Sequence, residues 1–120
     1  MAVILVVEDE VFIRQHAAWT IDDLGHGTLL AFDLASALAH LSAATKIDAL
    51  FVDIRLAALA LGGYEIADRA VSIRPGLPVL YTSGSTLTPA MAGQFVAGGR
   101  FLQKPYSSAQ LATCMGEMLQ

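Results

Sequence analysis

Ala2-Val3-Ile4-Leu5-Val6-Val7-Glu8-Asp9-Glu10 runs from an unbroken aliphatic stretch directly into acid. A strand with one wet face would alternate apolar and polar side chains. Val3 to Val7 does not alternate, so it reads as a strand covered on both faces, as in a parallel sheet. Similar apolar runs return along the chain, at Ala49 to Val52 before Asp53, at Pro78 to Thr82 before Ser83-Gly84, and as a short run at Phe101 to Gln103 before Lys104-Pro105. Thr28 to Phe32 is a further strand candidate.

The segments between these runs read as helices. From Glu10 to Leu24, Ile13, Ala17, Ile21 and Leu24 recur at helical spacing and Gly25 follows as a stop. Asp33 can cap a helix carrying Ala35, Leu38 and Leu41. Gly63 to Ile73 is a third helix, ended by Arg74-Pro75-Gly76. Thr88-Pro89 is a cap followed by proline at the first helical position, predicting a helix to about Ala97. Ser107 or Ser108 caps a last helix. Strand and helix alternate five times, which predicts an α/β fold of parallel strands joined by right-handed crossovers, with helices on both faces.

The bulk numbers narrow the function classes. With 120 residues the chain fits one compact domain, 1–120. Apolar residues make up 55% and charged residues 15%, which argues against disorder. No apolar run reaches the roughly 20 residues of a membrane span. The first one ends in acid, unlike a signal peptide. A net charge of −4 disfavours direct nucleic-acid binding. Cys114 is alone, so no internal disulfide forms, and a reducing cytoplasm is the expected compartment. Its ordinary role is a small apolar residue on the last helix, with a redox sensor as the sharper alternative.

In open α/β sheets ligands bind beyond the carboxyl ends of the strands. Glu8 and Asp9 follow the first strand, Asp53 ends the third, Thr82, Ser83 and Gly84 close the fourth, and Lys104 follows the fifth. Carboxylates gathered there would repel unless a cation lay among them. Oxygen ligands of this type suit Mg²⁺, which also binds phosphate oxygens. A carboxylate beside such an ion can attack phosphorus while metal and lysine stabilise the transferring charge. His16, His26 and His40 are scattered on a helix, a turn and a second helix. None follows a strand end, so packing or surface roles are expected of His16 and His40.

Taken together in this order, Val-Ile-Leu-Val-Val-Glu8-Asp9-Glu10, Leu-Phe-Val-Asp53-Ile, Val-Leu-Tyr-Thr-Ser83-Gly84 and Phe101-Leu-Gln-Lys104-Pro105-Tyr106 resemble the receiver domain of two-component response regulators over nearly the whole chain. The resemblance implies a five-stranded, doubly wound, flavodoxin-like sheet of order 2-1-3-4-5 with five helices. It implies Asp53 as phosphoacceptor and metal ligand, and Asp9 as a direct Mg²⁺ ligand. Glu8 would hold the ion through water, and Arg55 would contribute its backbone carbonyl. Ser83 and Lys104 would contact the phosphoryl group, Phe101 would be the switch aromatic, and Pro105 would follow a cis peptide. The implied partner is a histidine kinase or histidine phosphotransfer protein, and the implied output face is helix four, strand five and helix five. Arg55 and Ser85 occupy positions that tune hydrolysis of the acyl phosphate in relatives.

The chain also departs from that pattern. Leu56-Ala57-Ala58-Leu59-Ala60-Leu61-Gly62 stands where relatives have a shorter loop with proline and glycine. It reads as a neutral variant, with an apolar partner-binding rim as the sharper alternative. From Leu77 onward the only charges are Arg100, Lys104 and Glu117, so a homodimer through this weakly charged face would rest on apolar contacts rather than ion pairs. Trp19 falls on the outer side of the first helix, where kinases and phosphotransfer domains dock in this family. Two other classes compete with the phosphoacceptor. One is a docking module that keeps the fold without phosphorylation. The other is an aspartyl phosphatase, which would want an acid where Arg55 stands.

Overall fold

The structure is a computed structural model that describes residues 1–56 and 62–120. Its elements in chain order are β1 (Val3–Val7), α1 (Val11–Asp23), β2 (Gly27–Ala31), α2 (Leu34–Ser42), β3 (Ala49–Asp53), α3 (Gly62–Ile73), β4 (Val79–Ser83), α4 (Pro89–Ala92), β5 (Arg100–Gln103) and α5 (Ser108–Met118). The five strands form one sheet in the spatial order β2-β1-β3-β4-β5, every neighbouring pair parallel. This is the doubly wound, flavodoxin-like arrangement. The helix reading that fails is α4. It stops at Ala92 instead of reaching about Ala97. Past Gly93 the bonds tighten to i→i−3, with Gln94 N–H donating to Met91 O and Phe95 N–H to Ala92 O, after which Val96 N–H donates to the Tyr81 hydroxyl at 3.0 Å and Gly98 takes a φ of +76°. The reading of residues 56–62 as a loop variant falls on 57–61, outside the described residues; Leu56 itself is buried.

Alternation along the central strands divides the core. Ile4, Val6, Ala49, Phe51 and Leu80 point to one face, where Ala17 and Ile21 of α1 and Leu111 and Met115 of α5 cover them. Leu5, Val7, Leu50, Val52, Val79 and Tyr81 point to the other, against α2 and α3. Each fully buried aliphatic side chain of this kind contributes about 1.5–3 kcal/mol. Helix starts are set by side chains that accept orphan amides. Glu10 accepts from Phe12 and Ile13, Asp33 forms a capping box with Ser36, and Ser107 does the same with Gln110.

One glycine determines how closely α3 meets the sheet. Gly63 N–H donates to Ile54 O at 3.0 Å, just past the end of β3. A Cβ at this position would run into the Asp53 carbonyl oxygen and come within 2.6 Å of Ile54 Cα and 2.9 Å of Asp53 C. Backbone cannot give way as a flexible side chain can, so only glycine fits. We expect Gly63→Ala to lower stability by about 1–3 kcal/mol in urea denaturation, the usual cost of overpacking. Gly116→Ala, in the interior of α5 with nothing within 4 Å of the added methyl, should instead stabilise by about 0.5–1 kcal/mol through helix propensity. Equal effects of the two substitutions would contradict the close-approach account.

Candidate functional site

The parallel register brings the strand ends together. Val7 pairs with Val52, and Asp53 with Thr82. Glu8, the first residue past β1, therefore lies beside Asp53, and its N–H is anchored on Ala31 O at 3.1 Å. Lys104 N–H donates to Ser83 O at 2.8 Å, which extends the β4–β5 ladder one residue and brings Lys104 to the same edge. The Lys104–Pro105 peptide is cis.

The lysine ammonium reaches both acids. Lys104 Nζ lies 2.7 Å from Glu8 Oε1 and 2.9 Å from Asp53 Oδ2. Glu8 is only 3% exposed and Asp53 5%. The remaining oxygen of Asp53 accepts the Arg55 N–H at 3.1 Å, and Glu8 Oε2 accepts the Glu10 N–H at 3.3 Å. Arg14, which sequence reasoning passed over, donates from Nη1 to the Glu8 carbonyl at 2.8 Å. Its position one helical turn into α1 was the available signal.

Burial pushes the Glu8 carboxyl up to about 7, helped by its hydrogen bond and repulsion with Asp53 and opposed by Lys104. Burial would lower Lys104, but its hydrogen bonds to Glu8 and Asp53 outweigh this and hold the ammonium above its ordinary value. The Tyr106 phenol is raised by burial and by the negative charge of Glu8 and Asp53, so it is neutral across the physiological range.

Glu8, Asp9 and Asp53 each bring a carboxylate oxygen to within 4.8 Å of the others. The donors are all oxygen and formally trianionic. That chemistry fits a hard divalent cation such as Mg²⁺ and does not fit a soft one. Arg55 meets the site through its backbone, while its side chain is exposed.

Ser83 is 2% exposed, and its Oγ accepts the Ser85 N–H at 3.1 Å. Thr82, the neighbouring hydroxyl, is committed elsewhere, donating to Leu102 O at 2.7 Å. Phe101 is half-buried and stacks on Phe95, with ring centroids 6.2 Å apart. At Gly84 an added Cβ would meet nothing within 4 Å. A groove of about 600 Å³ adjoins the acids, lined by Phe12, Ile13, His16, Gly84, Lys104 and Tyr106 among others. Phe12 is 77% exposed at its rim, and Trp19 is exposed further along α1. Neither His16 nor His40 joins the acid cluster. His16 lies against Tyr106 and Ser108, and His40 contacts Leu30 O. Cys114 packs, half-buried, on the α1–α5 side of the core. Among the described residues no helix is long and apolar enough to cross a membrane.

A family model described as response regulator receiver domain matches residues 4–115. The nitrogen assimilation regulatory protein NtrX of Azorhizobium caulinodans is 30% identical over 118 residues, which is 98% of this chain and 26% of that protein. The chain thus spans about a quarter of the length of this curated relative. Among solved structures, a response regulator receiver protein from Sinorhizobium medicae superposes with a TM-score of 0.88 at 30% identity, covering 98% of this chain and 94% of that one. The receiver domain of NtrX from Brucella abortus gives 0.86 at 34% identity, covering 97% of each.

The raised Glu8 carboxyl carries a pH signature. Its contribution to stability is complete below 4.5, where folded and unfolded chains are both protonated, and is lost as pH rises through about 7. In chelator, urea denaturation should show stability falling by roughly 2 kcal/mol between about pH 5 and pH 8. Glu8→Gln should flatten that slope. An unchanged slope in the variant would assign the effect to another group.

Proposed function

The chain belongs to the response regulator receiver domain family of two-component systems, and on that premise we propose that Asp53 is its phosphoacceptor, with residues 1–120 working as one receiver domain. The supporting observation is the buried Asp53 carboxylate with Lys104 Nζ at 2.9 Å and two further acids alongside.

In this reading Asp9 and Asp53 would hold Mg²⁺ directly, Glu8 would hold it through water, and the Arg55 backbone carbonyl would complete the protein's share. Bound there, the ion would neutralise the acids and stabilise charge on the phosphoryl oxygens. An Asp53 oxygen attacks phosphorus of a phosphohistidine in a histidine kinase or histidine phosphotransfer protein. The new P–O bond gives an acyl phosphate. The P–N bond breaks, and its electron pair leaves with the imidazole. Lys104 follows the charge from the carboxylate to a phosphoryl oxygen. Water later returns the carboxylate and releases phosphate, at a rate set in part by Arg55 and Ser85 beside the site.

The switch begins with added charge and acceptor oxygens at Asp53. Ser83 exchanges the Ser85 amide for a phosphoryl oxygen, and Phe101 moves in response, altering the face of α4, β5 and α5. Arg100 and Glu117 on that face already pair with each other at 3.1 Å. A homodimer built there would therefore rely on apolar contacts.

Intact mass after incubation with acetyl phosphate and Mg²⁺ should show the gain of one phosphoryl group. The gain should vanish without Mg²⁺ and in Asp53→Asn. No gain under any condition would leave the docking-module reading. The exposed Phe12 at the groove makes a second prediction, concerning the partner. Phe12→Ala should slow transfer from a phosphorylated histidine phosphotransfer protein about tenfold, a typical loss at an aromatic contact, and leave loading from acetyl phosphate unchanged. Equal effects on both donors would remove the groove from partner docking.

A further inference from the structure

Tyr81 lies in the middle of β4, two residues before Ser83 on the same face of the strand, and is paired in register with Phe101. It is fully buried, yet it carries a hydroxyl, and that hydroxyl accepts the Val96 N–H at 3.0 Å. Val96 follows α4, a helix of four residues with none of them buried. The chain behind α4 is thus anchored by the packing of Phe95 and Val96 on the core and by this side-chain hydrogen bond.

Phe95 is the centre of an aromatic cluster. Its ring stacks on Tyr81 with centroids 4.2 Å apart and planes 13° off parallel. It stacks on Phe101 at 6.2 Å and meets Tyr64 at 6.3 Å. The ring is half-buried, and it is tightly packed on its Gly99 side. A Cβ at Gly99 would come within 2.9 Å of Tyr81 Cε2, 3.0 Å of Val96 O and 3.2 Å of Phe95 Cβ. A ring stacked on two neighbours in this way is coupled to their movement. If Phe101 turns, Phe95 must slide, and sliding Phe95 pulls its neighbour Val96 away from the Tyr81 hydroxyl.

We propose that the Tyr81 hydroxyl is a latch on residues 93–99, and that loading of Asp53 is read out as release of this segment when Phe101 and Phe95 move together. The idea rests on the phosphoacceptor reading of Asp53 and adds the element that reports it. Tyr81 touches no reacting atom, so it acts as a positioning residue. Because the latch holds the unloaded state, weakening it must favour the loaded one by the same factor.

The test uses the full chain with beryllium fluoride and Mg²⁺ as the phosphoryl mimic, followed by amide exchange and titration calorimetry. In the wild type, the mimic should speed exchange of the Val96 amide and of residues 93–99. Tyr81→Phe, which keeps the ring, should speed that exchange without the mimic and bind the mimic roughly two- to tenfold tighter, the equilibrium effect of one such hydrogen bond. Phe95→Leu should act in the same direction without touching the hydroxyl. Wild-type protein that binds the mimic with unchanged or slower exchange at 93–99 overturns the latch alone. So does faster exchange in Tyr81→Phe with no gain in affinity, since that marks a purely structural hydrogen bond. Failure of the wild type to bind the mimic overturns the latch and the phosphoacceptor reading together.

Discussion

Two carboxylates, Glu8 and Asp53, are buried side by side, and one ammonium lies between them. Neither acid is stable there alone. Taking a carboxylate out of water costs several kcal/mol, and two together add repulsion. Lys104 offsets part of that cost, and the raised Glu8 carboxyl shows that it does not offset all of it. The site is consequently short of positive charge. That deficit suits a divalent cation, and it makes the arrangement of β1, β3 and β5 depend on one lysine.

The backbone holds these charges in place more firmly than the side chains do. Ile54 N–H is donated to Thr82 O at 2.9 Å, Arg55 N–H to Asp53 Oδ1, and Gly63 N–H to Ile54 O. Asp53 is therefore clamped from β4, from its own following residue and from the start of α3. On the neighbouring strand, Ser83 is held by Ser85 and Lys104 by Ser83. Around Asp53 itself the frame is therefore backbone held by β4 and α3. The face where Phe95, Phe101 and Tyr81 pack carries a short helix with no buried residue of its own. Motion is cheapest where burial is least, so the lightly anchored segment after α4 is the natural place for a response.

Most of the architecture was legible because its signals are local. Unbroken apolar runs marked the buried strands, and Asp33, Thr88 and the pair Ser107-Ser108 marked helix starts, with Ser107 the one whose oxygen accepts at the last. The acids, Ser83 and Lys104 were legible as a group because each follows a strand, and parallel strands bring such ends to one edge. Boundaries slipped by a residue at β2, β3, β4 and β5, where pairing rather than composition sets the ends. The α4 reading failed for a different reason. Thr88-Pro89 is a sound start signal, and nothing nearby in sequence shows that Val96 N–H will be drawn to a hydroxyl 15 residues earlier.

Sequence alone determined the strand–helix alternation, the division into buried and capped positions, and which functional groups could meet at the sheet edge. These follow from side-chain polarity and short-range hydrogen bonding, which a chain carries before it folds. Tertiary structure alone decided that Lys104 bridges Glu8 and Asp53, that Gly63 must lack a side chain, and that Val96 N–H meets the Tyr81 hydroxyl. Each of these depends on distances between segments far apart in the chain, and those distances exist only once the sheet has closed its register.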